Sequence, residues 1–178
     1  MIFRALFACL CLGLAAPALA GDRAHLIAEI EAAGRNVTDT KRHAVTVSGC
    51  TLMTRFEYRH PAKGWVLWSR FTVFMPDATP RARGTGGGDL HQAGHGTEET
   101  GITAFRMRPG TTARYERSAL RRHLPNSVPA PRGDGTTHRL SKVTKFFIQH
   151  DGPGTVAKAH RFTAAYTDYV QTYCALIG

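Results

Sequence analysis

Residues 45–76 constrain the fold more than any other stretch of the chain. They read VTVSGCTLMTRFEYRHPAKGWVLWSRFTVFMP. Two runs rich in β-branched and aromatic residues flank Arg59-His60-Pro61-Ala62-Lys63. Such side chains suit a pleated, half-buried surface. In the second run Trp65, Leu67, Phe71, Val73 and Met75 alternate onto one face, interrupted only by Ser69. Val66, Trp68 and Phe74 load the other face, which predicts a central strand covered on both sides. Pro76 ends it, because proline has no N–H to give a ladder. In the first run Val45 and Val47 share a face, and Cys50, Leu52 and Phe56 then take the opposite one. An extra residue reverses which side points inward, so a bulge or kink is expected at Gly49. The short polar linker predicts that the two runs pair as an antiparallel hairpin.

The first twenty residues have the pattern of a cleaved export signal. Arg4 supplies the positive start, residues 5–16 an apolar run too short to span a bilayer, and Ala18-Leu19-Ala20 a small-x-small cleavage site. Cleavage would leave residues 21–178 as one α+β domain. It would also remove Cys9 and Cys11, so that Cys50 and Cys174 remain as a pair in an oxidising compartment. The expected location is periplasmic or secreted, in a bacterium. No second apolar segment follows, so no membrane span is expected.

The rest of the chain alternates turns and short elements. Asp22 is placed to cap a helix running to about residue 33, with Leu26, Ile27, Ile30 and Ala33 on its apolar face and Gly34 beyond its end. Residues 77–101 are glycine-rich and aperiodic, which predicts a long mobile loop. Residues 102–108 and 111–117 read as two strands joined by a turn at Pro109-Gly110. Residues 118–123 suggest one helical turn and residues 124–135 a loop. Residues 138–149 read as a strand with Leu140, Phe146 and Ile148 on one face. From Thr155 onward, Ala159, Phe162, Tyr166, Tyr169, Tyr173 and Leu176 recur at helical spacing. These elements predict an α+β fold: an antiparallel, strongly bent sheet of about five or more strands, with a short N-terminal helix and a long C-terminal helix packed on it. In element order alone this resembles the pleckstrin-homology-like architecture, which implies a bent sheet closed by its last helix. No motif accompanies the resemblance, so it implies no function.

Charge is the broadest functional signal. Lys and Arg number 23 against 13 Asp and Glu, a net +10. Arg106, Arg108, Arg114 and Arg117 fall on the two strands around Pro109-Gly110, and Arg121, Arg122 and Arg132 follow. Closing that hairpin would crowd guanidiniums into an anion-binding face. Asp89, His91 and His95, near Glu98 and Glu99, form a candidate metal set in the glycine loop, without the spacing of a helical zinc motif. No G-x-S-x-G elbow is present, and Thr85-Gly86-Gly87-Gly88 lacks the lysine of a P-loop. Glu57 and Glu116 lie in separate strand-like runs, and nothing in the sequence joins them. Asn36-Val37-Thr38 and Arg132-Gly133-Asp134 are short matches of the kind chance produces.

We therefore expect an exported binding domain rather than an enzyme, without a cofactor. It would contact an anionic envelope component or a protein partner through its arginines, and nucleic acid is not the expected partner. A second reading is a carrier holding an apolar ligand between the sheet and the tyrosine stripe of the last helix. A third is a metal-dependent hydrolase using Asp89, His91 and His95. Cys50 and Cys174 are expected to form a disulfide.

Overall fold

A computed structural model of the chain describes residues 16–85, 100–118, 138–150 and 154–175, with side chains described for 22–84, 101–116, 141–150 and 154–175. Helix α1 (Ala16–Gly34) leads into β1 (Asn36–Val37), β2 (Lys41–Ser48), β3 (Thr51–His60) and β4 (Gly64–Phe74). There follow β5 (Ala78–Thr85), β6 (Thr100–Met107), β7 (Ala113–Ser118), β8 (His138–Val143), β9 (Lys145–His150) and helix α2 (Thr155–Tyr169). The fold is α+β, with two antiparallel sheets ordered β1-β2-β3-β4-β7-β8 and β5-β6-β9. The bent sheet is not closed. No helix among the described residues is long and apolar enough to cross a membrane.

The two sheets are halves of one folded ribbon. Strand β4 runs into β5 through a 3-10 turn (Met75–Asp77), β6 runs into β7 past Pro109-Gly110, and β8 runs into β9 across Thr144. The lateral order is β4-β7-β8 in one half and β5-β6-β9 in the other, so each long chain segment keeps its neighbours across the crease. Backbone bonds bind the crease laterally: Arg108 N–H donates to Asp77 O (2.7 Å) and Met107 N–H to Thr144 O (2.9 Å). The expected strand over 138–149 is thus two strands, turned at Thr144.

This topology overturns the expected pairing around Pro109-Gly110. Strand β6 pairs with β5 and β9, whereas β7 pairs with β4 and β8. Gly110 takes φ 83 and turns the chain between sheets, not back onto itself. The loop reading of 77–101 also fails over its first part. Residues 78–85 form β5, in register with β6 from Ala78↔Met107 to Thr85↔Thr100. Residues 86–99, and the turn and loop expected over 119–135, lie outside the described residues.

The central hairpin forms as expected, but its irregularities sit elsewhere. Gly49 and Cys50 are the turn between β2 and β3, with φ 55 at Gly49. Val45 pairs with Thr54 and Val47 with Leu52, so all four share one face and no phase flip occurs. The bulge lies at Trp68: Phe56 pairs with Ser69 and Glu57 with Leu67. It turns Trp65 and Leu67 away from the face that holds Phe71 and Val73.

The core lies between the inner faces of the ribbon and the two helices. Ile30, Leu52, Met75, Ile148, Phe162, Tyr166 and Tyr169 are fully buried in it. Four rings stack across the crease. Phe105 lies on Phe146 (4.5 Å between centroids), Phe146 on Phe71 (4.9 Å) and Phe71 on Tyr115 (4.6 Å). Helix α2 sits close over β5 and β6 because that row is small: Ala78, Pro80, Ala82 and Gly84 alternate on β5. A Cβ at Gly101 would overlap the Thr155 carbonyl, and one at Gly84 would press on Val156.

The end of α2 widens into a π-turn (Val170–Cys174). The extra residue per turn shifts the helical phase, so Cys174 is buried at 1 % exposure while Tyr173 is only half-buried. Cys50 and Cys174 stand at disulfide distance, with Cα atoms 5.7 Å apart. A clamp surrounds them. The Tyr169 hydroxyl donates to Gly49 O (2.7 Å) and accepts from Arg23, whose guanidinium lies over the Tyr169 and Tyr173 rings.

Candidate functional site

Two carboxylates are buried where solvent would be expected, on the outer face of the six-stranded sheet. Glu57 on β3 is 4 % exposed and Glu116 on β7 is 8 % exposed. Glu57 accepts from Arg42 and pairs with Arg55 (2.7 Å). Glu116 takes both Nε (2.9 Å) and a terminal nitrogen of Arg70. Arg55 and Arg70 are direct cross-strand neighbours, so the array alternates carboxylate, guanidinium, guanidinium, carboxylate across three strands. Arg42 also lies over the Trp65 ring, 4.7 Å from its centroid. Burial pushes the Glu57 carboxyl up. The Arg42 hydrogen bond and the charges of Arg55 and Arg42 outweigh it, and the group titrates below the usual carboxylate range. These carboxylates are consumed by arginines and offer no open acid–base pair.

The other half of the convex side has no such neutralisation. Strands β5, β6 and β9 contain no Asp or Glu. Alternation turns Thr103, Phe105 and Met107 toward the core, and Arg106 faces out. Arg81, Arg83, Arg106 and Lys145 are all exposed there. Register brings Arg106 directly beside Lys145. Across the crease, exposed Arg114 stands directly beside exposed Lys142. Like charges in opposed positions weaken a sheet. Neither pair has a carboxylate within ion-pairing distance among the described residues, unlike Arg55 and Arg70. A shallow open depression lined by Thr112, Arg114, Ser141 and Lys142 lies on the second pair.

The expected anion-binding residues are therefore divided. Arg106 lies on the three-stranded half and Arg114 on the six-stranded half. Arg108 sits at the crease, where it ion-pairs with Asp77. Arg117 pairs with Ser69 and Arg139 in register, and its side chain lies outside the described residues. Arg81, Arg83 and Lys145 join the patch although the sequence reading passed over them. The signal was present in T-P-R-A-R-G, where small and basic residues alternate with period two. Asp89, His91 and His95 lie outside the described residues. Among the described residues, no group of three His, Cys, Asp or Glu is placed to hold a metal ion.

Between α2 and the ribbon, side chains occupy the space that an apolar ligand would need. Phe105 meets Phe162 and Tyr166 edge-on, and the Tyr166 hydroxyl donates to Met75 O (2.9 Å). Burial, and then the charge of Asp77, hold that phenol far above its ordinary range. His150, 2 % exposed, bonds Ala33 O through Nδ1 and the Thr103 hydroxyl through Nε2 (both 2.9 Å). A carbonyl can only accept, so Nδ1 carries a proton. The chain matches no protein-family model, no curated protein and no solved structure.

Proposed function

We propose that the chain is an exported, non-catalytic domain that binds an anionic envelope component through the convex side of its folded ribbon. One observation carries the reading. The side bears two opposed cation pairs, Arg106 beside Lys145 and Arg114 beside Lys142, without a compensating carboxylate among the described residues. A fold that neutralises Arg42, Arg55 and Arg70 with buried glutamates leaves this second set charged, at a cost to the sheet. An external anion relieves that repulsion. Guanidiniums suit it, since their planar forks bind phosphate or carboxylate in pairs. The apolar run and the small-x-small site before Gly21 support export, and cleavage there would shorten α1 at its N-terminal end.

The test replaces Arg81, Arg83, Arg106 and Lys145 by Gln. All four are exposed, so stability should change little. Each basic residue near an anionic surface contributes about 1 kcal/mol, so affinity for polyphosphate or anionic vesicles should fall by at least roughly a hundredfold. Unchanged affinity in this variant would remove the proposal.

A further inference from the structure

We propose that the anionic component is a phospholipid surface, and that Phe147 is the residue that enters it. The inference rests on the binding reading above and names its partner. Two phenylalanines are the exposed large aromatics among the described residues: Phe147 at 53 % and Phe74 at 38 %. Both lie on the convex side. Phe147 alternates with buried Phe146 and Ile148 on β9, and Phe74 follows inward-facing Val73 at the crease end of β4. Phe147 is embedded in the cation patch. Lys145 is two residues before it on the same face, and Ala104 lies between it and Arg81 in register. Arg106 stands one pair further along.

The chemistry separates a bilayer from other polyanions. A soluble polyphosphate or an acidic polysaccharide would engage the cations but would leave the phenyl ring in water. A headgroup layer presents phosphates at its surface and apolar chain a few ångströms beneath. Basic side chains around a protruding aromatic match both layers at once. Among the described residues, the depression at Arg114 and Lys142 is shallow and open, unlike the enclosed cleft that a small-molecule anion would favour.

The experiment compares the purified protein with Phe147→Ser and with the four-residue Gln variant. Each is sedimented with phosphatidylglycerol/phosphatidylcholine vesicles and with phosphatidylcholine vesicles, and titrated with polyphosphate. Phe147→Ser should lose roughly tenfold in partitioning to the anionic vesicles while keeping its polyphosphate affinity. The unmodified protein should ignore phosphatidylcholine alone. Equal vesicle partitioning by Phe147→Ser and the unmodified protein would overturn the lipid inference and leave the basic-face reading standing. So would polyphosphate binding without vesicle binding, or a dimer that Phe147→Ser dissociates. A Gln variant that binds both ligands fully would remove the basic-face reading itself, and the lipid inference with it.

Discussion

His150 is a histidine committed to structure. It ties β9 to the C-terminal end of α1 through Ala33 and to β6 through Thr103, whose hydroxyl also lies 3.4 Å from Ala159 O on α2. Thr103→Val keeps the shape and strips the imidazole Nε2 of its hydrogen-bond partner. It should destabilise the protein by about 1–3 kcal/mol, the cost of an unsatisfied buried group, in urea or thermal unfolding. Glu57 supports the fold in a pH-dependent way. Its pKa is lowered on folding, so its contribution is present above the unfolded carboxylate value and fades as pH falls through the folded one. Glu57→Gln should cost about 1–2 kcal/mol at neutral pH, since its arginine partners are half exposed. The gap between the two proteins should narrow as pH falls below the ordinary carboxylate value and close as it passes through the lower folded one. A gap that persists unchanged at lower pH would contradict this account of the array.

At the level of elements, spacing between α2 and the β5-β6 pair is set by missing side chains. Gly101→Ala places a methyl against the Thr155 backbone, which has no freedom to move aside. It should destabilise by about 1–3 kcal/mol, whereas Gly84→Ala meets the two Val156 methyls at 3.0 and 3.1 Å, tight but not overlapping, and should cost less. The pair Cys50 and Cys174 would close a separation of 124 residues, worth on the order of 4–5 kcal/mol in the chain-entropy model. Replacing both by alanine should remove a stabilisation of that size. Two free thiols under denaturing alkylation without reductant would contradict the bond. The helices and the β3-β4 hairpin were legible because long apolar periodicity marks them. Strand β5 was not, because its inner row is Ala, Pro, Ala and Gly, and a strand without bulky side chains leaves no hydrophobic alternation to read. The Trp68 bulge was hidden for the opposite reason. Tryptophan and leucine are apolar on either face, so the sequence does not reveal which way they turn.

Across the whole molecule, what the sequence left open was which arginines share a surface. Charge alone marked Arg106, Arg108, Arg114 and Arg117 as a group, because proximity in the chain suggested a hairpin. The crease at Pro109-Gly110 separates them and gathers Arg106 with Arg81, Arg83 and Lys145 from distant segments. A three-dimensional pairing of strands decides that grouping, and local patterning carries no record of it. The convex side then carries a neutralised array at Glu57, Arg55, Arg70 and Glu116, and a charged region that spans the crease from Arg106 and Lys145 to Arg114 and Lys142. The most direct measurement is polyphosphate affinity as a function of added salt, for the unmodified protein and for the variant with Arg81, Arg83, Arg106 and Lys145 changed to Gln. The account predicts steep loss of affinity with salt for the first, and both weaker binding and a shallower salt dependence for the second. Identical affinity and identical salt dependence in the two proteins would contradict it.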